Sequence, residues 1–561
     1  MASKKKDISI VLCGEAGQGI NTVSEALLFL AHKNGFNVFS TTEFMSRIRG
    51  GINSTEIRIS PEPVRAPVER IDIFVPLIRR AYEHLNKRLN QNTITLGEIK
   101  TPGYSIYEIP FSTIAKELGG PIYTNIVAVG AIAGILNLKL DYLNDYLIKT
   151  FQRKGDTVVK NNIQAAKTGY EKAKTLKINL LDINFTVGLK NKEKIMDGSE
   201  AIALGAVAGG CNFIAAYPMT PSSGVWTYLA RHSKELDIIT EQAEDEISAM
   251  NMGIGASYAG ARAMVTTSGG GFDLMTEGLS LAAIQETPIV IHLAQRPGPA
   301  TGLPTRTEQA DLELALYAGH GEFPRIILAP GTFEQGFYLT QKAFNLADKY
   351  QVPVFILTDQ FFIDSSYNVK SFDISGIKIE PIVIETQRDY KRYRLTENGI
   401  SPRGIPGFGQ GFVNADCHHH NEDGHISEDL ELRPVMVDKL FKKMRLINND
   451  IILPALTGPS DYKTLVICWG SNYNIVKEAL ESMNQKNIAM LHFSQVYPID
   501  PDTESYLKKA EKIIVVENNA TGQFAKLLKL STGISIHESI LKYNGLPFSV
   551  EEIESAIKGL L

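Results

Sequence analysis

The chain has 561 residues, 44% of them apolar, with 57 Lys and Arg against 62 Asp and Glu for a formal net charge of −5. At roughly 150 residues per domain this length predicts about three or four domains, and the near-average composition excludes a disordered or collagen-like chain. The slight acidity removes any general electrostatic reason to bind nucleic acid or an anionic membrane.

Four cysteines, Cys13, Cys211, Cys417 and Cys468, include no C-x-x-C pair, so this chain by itself builds neither a disulfide framework nor a Cys-ligated iron–sulfur cluster. The basic start, Met1-Ala2-Ser3-Lys4-Lys5-Lys6, is followed by an apolar run over 8–12 that is too short for the core of a signal peptide. The longest apolar run, 126–136, falls short of the ~20 residues a membrane helix needs. A cytoplasmic protein is expected.

In chain order, a strand is predicted over 7–12, then the turn Cys13-Gly14-Glu15-Ala16-Gly17-Gln18-Gly19, then a helix with Val23, Leu27, Leu28, Leu30 and Ala31 on one side. Glycines at such a turn let the backbone approach a ligand, and free N–H groups at a helix start can hold an anion. The spacing Gly14-x-x-Gly17-x-Gly19 is not the dinucleotide fingerprint, and no acidic ribose partner follows at the expected distance. A second cluster, Arg47-Ile48-Arg49-Gly50-Gly51, reads as an anion site or a solvated turn. It precedes the alternating Ser54-Thr55-Glu56-Ile57-Arg58-Ile59, which predicts a half-exposed strand. Between Lys154 and Lys194 lie nine lysines with interspersed acids. That stretch predicts a solvated helix over 158–173 and then a linker, placing a boundary near 175–197.

A small-residue helix over 198–206 follows, suited to tight packing. Apolar strand-like runs at 212–216, 262–267, 288–293, 325–328 and 352–358 then alternate with helical stretches, which predicts a parallel sheet covered on both faces. Ligands of such sheets sit at the carboxyl ends of the strands, where Tyr217-Pro218-Met219-Thr220-Pro221-Ser222-Ser223, Ser268-Gly269-Gly270-Gly271 and Arg296 fall. From 365 to 450 the pattern weakens. The stretch Cys417-His418-His419-His420-Asn421-Glu422-Asp423-Gly424-His425 offers metal-type donors, but neighbouring side chains on an extended chain diverge, so a polar loop is expected and no metal site is assigned. A smaller α/β region closes the chain, with strands expected at 464–469, 488–493 and 512–517.

The Tyr217-to-Ser223 signature, with Met219 in place of the more usual isoleucine, resembles the α subunit of 2-oxoacid:ferredoxin (acceptor) oxidoreductases in the form with a γ-type domain fused in front. The resemblance runs end to end through the Gly14–Gly19 turn, Arg47-x-Arg49-Gly50-Gly51, Gly302-Leu303-Pro304-Thr305 and Glu517-Asn518-Asn519-Ala520-Thr521-Gly522-Gln523. It implies an α/β chain of three domains: a γ-type α/β domain (1–185), a pyrimidine-binding, thiamine diphosphate-type doubly wound parallel-sheet domain (195–440), and a transketolase C-terminal-like α/β domain (450–561).

Thiamine chemistry needs a carboxyl group at N1′ of the aminopyrimidine. The resemblance places Glu246 there, while the residues alone leave Glu244 and Asp245 as rivals, or a solvated acidic helix start. A 2-oxoacid needs its carboxylate clamped, a task suited to a planar guanidinium; the implied residues are Arg296, Thr220 and Thr305, with Arg306 a candidate for a distal carboxylate. Tyr217, Pro218, Ser268, Gly269 and Gly270 are implied cofactor contacts, and Gly17, Gly19 and Arg49 an anion site for coenzyme A. The sequence has no Gly-Asp-Gly of the kind that carries diphosphate-bound magnesium, which in the family's division of labour puts Mg2+ and the iron–sulfur cluster on a β subunit. The implied reaction is oxidative decarboxylation of a 2-oxoacid, most often 2-oxoglutarate in fused chains, to an acyl-CoA with electrons passed to ferredoxin, in an (αβ)2 assembly. Alternatives are pyruvate or branched-chain 2-oxoacids, a non-redox transketolase-like half-enzyme, or a non-catalytic scaffold subunit.

Overall fold

The computed structural model describes residues 7–46, 51–178 and 193–561, in two compact units. The first takes the chain up to Met196 together with Ser365–Ser371 and Ser549–Glu552. Its sheet has eight strands in the order β6-β5-β4-β1-β3-β2-β14-β7, where β1 is Ile8–Glu15, β2 Asn37–Glu43, β3 Ile52–Ser60, β4 Ile73–Pro76, β5 Ile94–Gly97, β6 Ile106–Glu108, β7 Glu193–Asp197 and β14 Ser366–Lys370. Strands β1, β4, β5 and β6 run parallel, whereas β3 is antiparallel to both β1 and β2. The alternating pattern of β3 predicts one wet face, but both faces are buried. Arg58 is satisfied by Asp7 Oδ2 (2.9 and 2.6 Å) and the Ala66 carbonyl (2.6 Å), and Glu56 accepts from Arg88 and from the Val68 N–H. Charged side chains enter a core when every polar atom finds a partner.

The apolar run at 126–136 forms the helix Thr124–Ile135, apolar on all sides and therefore buried. Its glycines have a steric reason. A Cβ at Gly130 would stand 1.9 Å from the Ala166 carbonyl oxygen, and one at Gly169 would stand 2.1 Å from the Val127 oxygen, so this helix and Asp156–Thr175 touch backbone to backbone. The lysine-rich helix, expected to be solvated, thus contributes a buried face of Asn162, Ala165, Ala166, Gly169 and Ala173. Among the described residues no helix is long and apolar enough to cross a membrane.

The second unit holds two sheets over one continuous core. The larger has the order β18-β12-β13-β11-β10-β8-β9: β8 Phe213–Ala216, β9 Ile239–Gln242, β10 Ala263–Ser268, β11 Ile289–Gln295, β12 Ile326–Leu328 and β13 Pro353–Asp359 are parallel, and β18, Gln495–Tyr497, is an antiparallel edge. The smaller sheet, β15-β17-β16-β19-β20, comprises Ala455–Thr457, Ile488–Phe493, Thr464–Trp469, Lys512–Glu517 and Glu538–Leu541 in that order, parallel except for β15. The small-residue helix Gly198–Ala208 packs as tightly as its composition predicts, with Gly205 against the Phe337 carbonyl.

The region of weak pattern contains one long helix, Leu432–Ile447, whose buried face is Met436, Lys439, Lys443 and Ile447. Both lysines pair with Glu286. These two ammonium groups outweigh the burial of Glu286 and hold its carboxyl well below the usual carboxylate range. Two lysines on the inward face erase the hydrophobic period that would have revealed the helix.

Candidate active site

The acidic trio separates by geometry. Glu244 is exposed; Asp245 is the N-cap of the helix Glu246–Tyr258, its Oδ1 accepting from the Ser248 N–H at 2.7 Å. That bond holds the Asp245 carboxyl below its ordinary pKa. Glu246 alone turns inward. It is 3% exposed, and its Oε1 is buried without a hydrogen-bond partner. A lone buried carboxylate oxygen is costly, so a solvated helix start does not describe it. The oxygen waits for a donor.

Facing it is the N-terminus of the helix Gly269–Ile284, which begins at the carboxyl end of β10. A Cβ at Gly271 would lie 2.3 Å from Thr267 Oγ1 and 2.7 Å from Glu246 Oε1, and one at Gly269 would lie 2.4 Å from Asp311 Oδ2. At Gly270 the Ala300 carbonyl oxygen would be 3.2 Å away. None of the three has a φ in the left-handed region, so these glycines serve close approach and not a turn. Ser268, the N-cap, is fully buried, and its hydroxyl has no partner.

Arg296 follows β11 and is 8% exposed. Its Nη1 donates to the Thr220 carbonyl at 2.6 Å, which ties the β11 loop to the loop after β8, while its Nε is buried without a partner. Burial lowers the guanidinium pKa, and the carboxylates of Asp311 and Glu246 oppose that shift. The following loop is closed on itself, since the Leu303 N–H donates to the Pro297 carbonyl at 3.1 Å and Gly302 has φ 53°. It delivers Thr305, 8% exposed, and Arg306, whose side chain lies against Gly545.

This loop is held by the second sheet. Gln309 donates to the Trp469 carbonyl (3.1 Å) and accepts from Asn472 (2.7 Å) and from the Asn518 N–H (3.1 Å), and Asn519 donates to the Gln309 carbonyl (3.1 Å). Gln523 spans the same seam, donating to the Ala310 carbonyl and accepting from the Glu313 N–H. Glu517 accepts from Phe524, Ala525 and Asn519. The Glu517-to-Gln523 motif therefore latches the loop that presents Thr305.

Residues 9–172 match the family model of pyruvate ferredoxin/flavodoxin oxidoreductase, and residues 204–439 that of its thiamine diphosphate-binding region. The chain is 32% identical to a Sulfolobus 2-oxoacid:ferredoxin oxidoreductase subunit alpha, over 98% of this chain and 96% of the relative. It belongs to that family. A 2-oxoglutarate synthase subunit KorA from Archaeoglobus fulgidus is 33% identical over 59% of this chain and 90% of its own. Among solved structures, 2-oxoglutarate:ferredoxin oxidoreductase from Magnetococcus marinus, with 2-oxoglutarate, coenzyme A and succinyl-CoA bound, superposes with a TM-score of 0.93 at 31% identity, covering 99% of this chain and 100% of that one.

The oxidoreductase α subunit is thus of the γα-fused kind, and Thr220, Glu246, Ser268 and Arg296 all fall within its thiamine diphosphate-binding region. The structure brings together Glu246, Arg296, Thr220, Ser268, Gly269 and Gly270, and joins Thr305 and Arg306 to them through one loop. The orphaned Glu246 oxygen beneath a glycine start fits an aminopyrimidine. Tyr217, 39% exposed, and Pro218 follow β8 on the surface. Gly17 and Gly19 belong to the first unit, and Arg49 lies outside the described residues. In the 417–425 loop, donor atoms of Asp416, Cys417 and His418 lie within 4.8 Å of one another on the surface, with the His418 ring bound to Asp416 at 2.7 Å.

Sequence reasoning missed Asp311. Standing just before the short helix Leu312–Tyr317, it reads as an N-cap, yet its side chain does not cap. Burial, with Asp273 and Glu308 nearby, pushes the Asp311 carboxyl up to about 7.

Proposed function

We propose that this α subunit supplies half of the active site of a thiamine diphosphate-dependent 2-oxoacid:ferredoxin oxidoreductase whose preferred substrate is 2-oxoglutarate, converted to its acyl-CoA. The observation that carries this is the buried, unpartnered Glu246 carboxylate set beside Arg296 at the carboxyl ends of parallel strands. When bound, thiamine diphosphate supplies the nucleophilic carbon and the electron sink that decarboxylation requires.

The chain's own residues hold and orient. Glu246 Oε1 would hold the aminopyrimidine at N1′, and the bare glycines at 269–271 would leave room for the ring beside the backbone. Arg296 clamps the 2-oxo carboxylate through Nε, with Thr220 and Thr305 completing the cradle; a bidentate guanidinium contact fixes the direction of the carbonyl as well as the affinity. Arg306 reaches the distal carboxylate. Tyr217 and Pro218 line the open side. The buried, unpartnered Ser268 hydroxyl would be available to the cofactor.

A β subunit carries the diphosphate site, Mg2+ and the iron–sulfur cluster and passes electrons to ferredoxin, in an (αβ)2 assembly. Two features support this division. The sequence lacks Gly-Asp-Gly, and three of its four cysteines are buried at separate places, in β1, in β16 and before β8. In the first unit, Gly17 and Gly19 hold an anion site for coenzyme A, the role the sequence also suggests for Arg49. The division 1–185, 195–440 and 450–561 assigns coenzyme A handling, pyrimidine binding and the loop latch to successive domains.

The test is co-expression with the β subunit and coenzyme A-dependent reduction of a viologen dye across a panel of 2-oxoacids. 2-Oxoglutarate is expected to give the highest kcat/KM. Preference for pyruvate or a branched-chain acid removes the role of Arg306, and no reduction with any of them overturns the reading.

A further inference from the structure

We infer that Asp359 is a positioning residue that sets the place of Thr305 and Arg306 through Thr307, and so sharpens the choice between 2-oxoacids with and without a distal carboxylate. This rests on the reading of Thr305 and Arg306 as substrate contacts.

Asp359 is the last residue of β13 and stands opposite Gln295, the residue before Arg296, in the parallel register with β11. It is buried, and a plain role lies at hand. Asp359 precedes the short helix Gln360–Asp364, and its Oδ1 accepts the Phe362 N–H at 2.9 Å, as an N-cap does. A cap needs one oxygen and one donor. Asp359 has two further donors that the helix does not supply: the Thr307 hydroxyl donates to Oδ1 at 3.3 Å, and the Ser471 hydroxyl donates to Oδ2. Thr307 belongs to the loop after β11 and Ser471 to the turn after β16 in the other sheet.

Neither donor follows from its own local structure. Ser471 is the N-cap of the helix Asn472–Met483, where serine is favoured for the bond it makes to its own helix, yet its hydroxyl makes no such bond and goes to Asp359. Thr307, buried, is held at both its N–H and its hydroxyl: the N–H donates to the Gly545 carbonyl at 3.1 Å, and Oγ1 accepts the Phe361 N–H at 3.1 Å while donating to Asp359. Two residues further on, Gln309 accepts from Asn472, the neighbour of Ser471, at 2.7 Å. Adjacent residues of one turn thus fix the loop at two points, and the grip of Ser471 reaches Thr307 only through Asp359. Thr305 and Arg306 stand immediately before that clamp, and the Arg306 N–H turns back to the Leu303 carbonyl at 3.1 Å. With the clamp cut, both lose a fixed distance to Arg296. Arg306 is the group assigned to the distal carboxylate, so looseness there costs a dicarboxylate more than a monocarboxylate.

The test uses the co-expressed complex with 2-oxoglutarate and pyruvate. In Asp359→Ala the ratio of kcat/KM for 2-oxoglutarate to that for pyruvate is expected to fall by about ten- to a hundredfold, with KM for coenzyme A unmoved. Thr307→Val, which keeps the shape and removes the hydroxyl, should give the same fall, and Thr307→Ser should restore the ratio. The double variant should be no worse than Asp359→Ala, because the two residues act in series. A residue that only supports the fold lowers the amount of active complex and scales both acids alike. Should Asp359→Ala misfold, Thr307→Val puts the same question, and amide hydrogen exchange reads it without turnover: exchange across residues 305–309 should quicken in Thr307→Val and not in Thr307→Ser. An unchanged ratio, or exchange as slow as in the unmodified complex, overturns the inference while the assigned activity stands. If the unmodified complex prefers pyruvate or turns over neither acid, the function on which the inference rests is overturned, and exchange alone decides whether Asp359 holds the loop.

Discussion

Two turns of the chain share a local design, a buried strand leading through a glycine cluster into a helix, and the two copies obey different physics. After β1, Gly17 and Gly19 have φ of 90° and 72°, the left-handed region where only glycine sits without strain. A Cβ at Gly17 would meet nothing within 4 Å. That turn is tied by its own neighbours, with Gln18 Oε1 accepting the Glu15 N–H at 2.8 Å and Asn125 donating to the Gln18 carbonyl at 2.6 Å. After β10, the glycines at 269–271 have ordinary φ, and a Cβ on them would strike Asp311, Ala300, Thr267 or Glu246. At Gly17 the first turn needs glycine for its backbone alone, whereas a Cβ at Gly19 would also lie 2.5 Å from Asn125 Nδ2. The second needs it for what approaches from outside, and only the second has buried polar atoms left unpaired.

The largest effect that separates the two copies is chemical. Glu246→Gln in the co-expressed complex is expected to lower 2-oxoacid turnover by about 10²- to 10⁴-fold, as loss of a positioned proton-handling group does. The thermal midpoint should not fall, because Glu246 Oε1 has no hydrogen bond for the variant to lose. Turnover within about tenfold of the unmodified complex would reduce Glu246 to a structural acid.

Next in size is Gly271→Ala. Its Cβ would stand 2.3 Å from Thr267 Oγ1 and 2.7 Å from Glu246 Oε1. Overpacking of that kind costs about 1–3 kcal/mol, and here the displaced atom is the carboxylate oxygen itself. Turnover and the denaturant midpoint should therefore fall together. A stability loss with turnover retained would show that Glu246 does not need its present place.

How much of this was legible depended on whether the deciding contact was local. The runs at 212–216, 262–267, 288–293, 325–328 and 352–358 correspond to β8, β10, β11, β12 and β13, because strands buried on both faces are apolar in one unbroken stretch. Strand β14 was not legible: it follows β13 directly but pairs with β2, Ser366 opposite Ser40, more than three hundred residues away. The helix Leu432–Ile447 hid behind its own buried lysines. Within the site, Thr220, Glu246 and Arg296 could be named from motif resemblance; the residues alone left Glu244 and Asp245 as rivals, which the N-cap bond to Ser248 and the burial of Glu246 separate. Asp311 offered only the look of a cap, and its carboxyl lies against Gly269, which is remote in sequence.

A third prediction concerns pH, where the copies also part. Beside the first turn, burial pushes the Cys13 thiol up to about 12, so it does not titrate near neutrality. Beside the second, the Asp311 carboxyl is pushed up to about 7, above the roughly 3.9 of an unfolded aspartate. Folding therefore favours its protonated form. The stabilisation is complete below the unfolded value and is lost as pH rises through about 7. Measured by denaturant unfolding, the stability of the unmodified chain relative to Asp311→Asn should fall between about pH 4 and about pH 7. A difference independent of pH would place the carboxyl in a solvated setting.

The smallest effect gives the sharpest contrast, because it is a reversal of rank. At Gly17 the space is open and φ is 90°, so alanine pays only for the left-handed backbone, about 1 kcal/mol. Asparagine tolerates that region better than alanine does, so Gly17→Asn should unfold at higher denaturant than Gly17→Ala. At Gly271 the backbone is unstrained and the space is taken, so each added atom deepens the clash and asparagine should be the worse of the two. Four midpoints decide the matter. If alanine and asparagine rank the same way at both positions, the two turns do not differ in the way their dihedral angles and neighbours require.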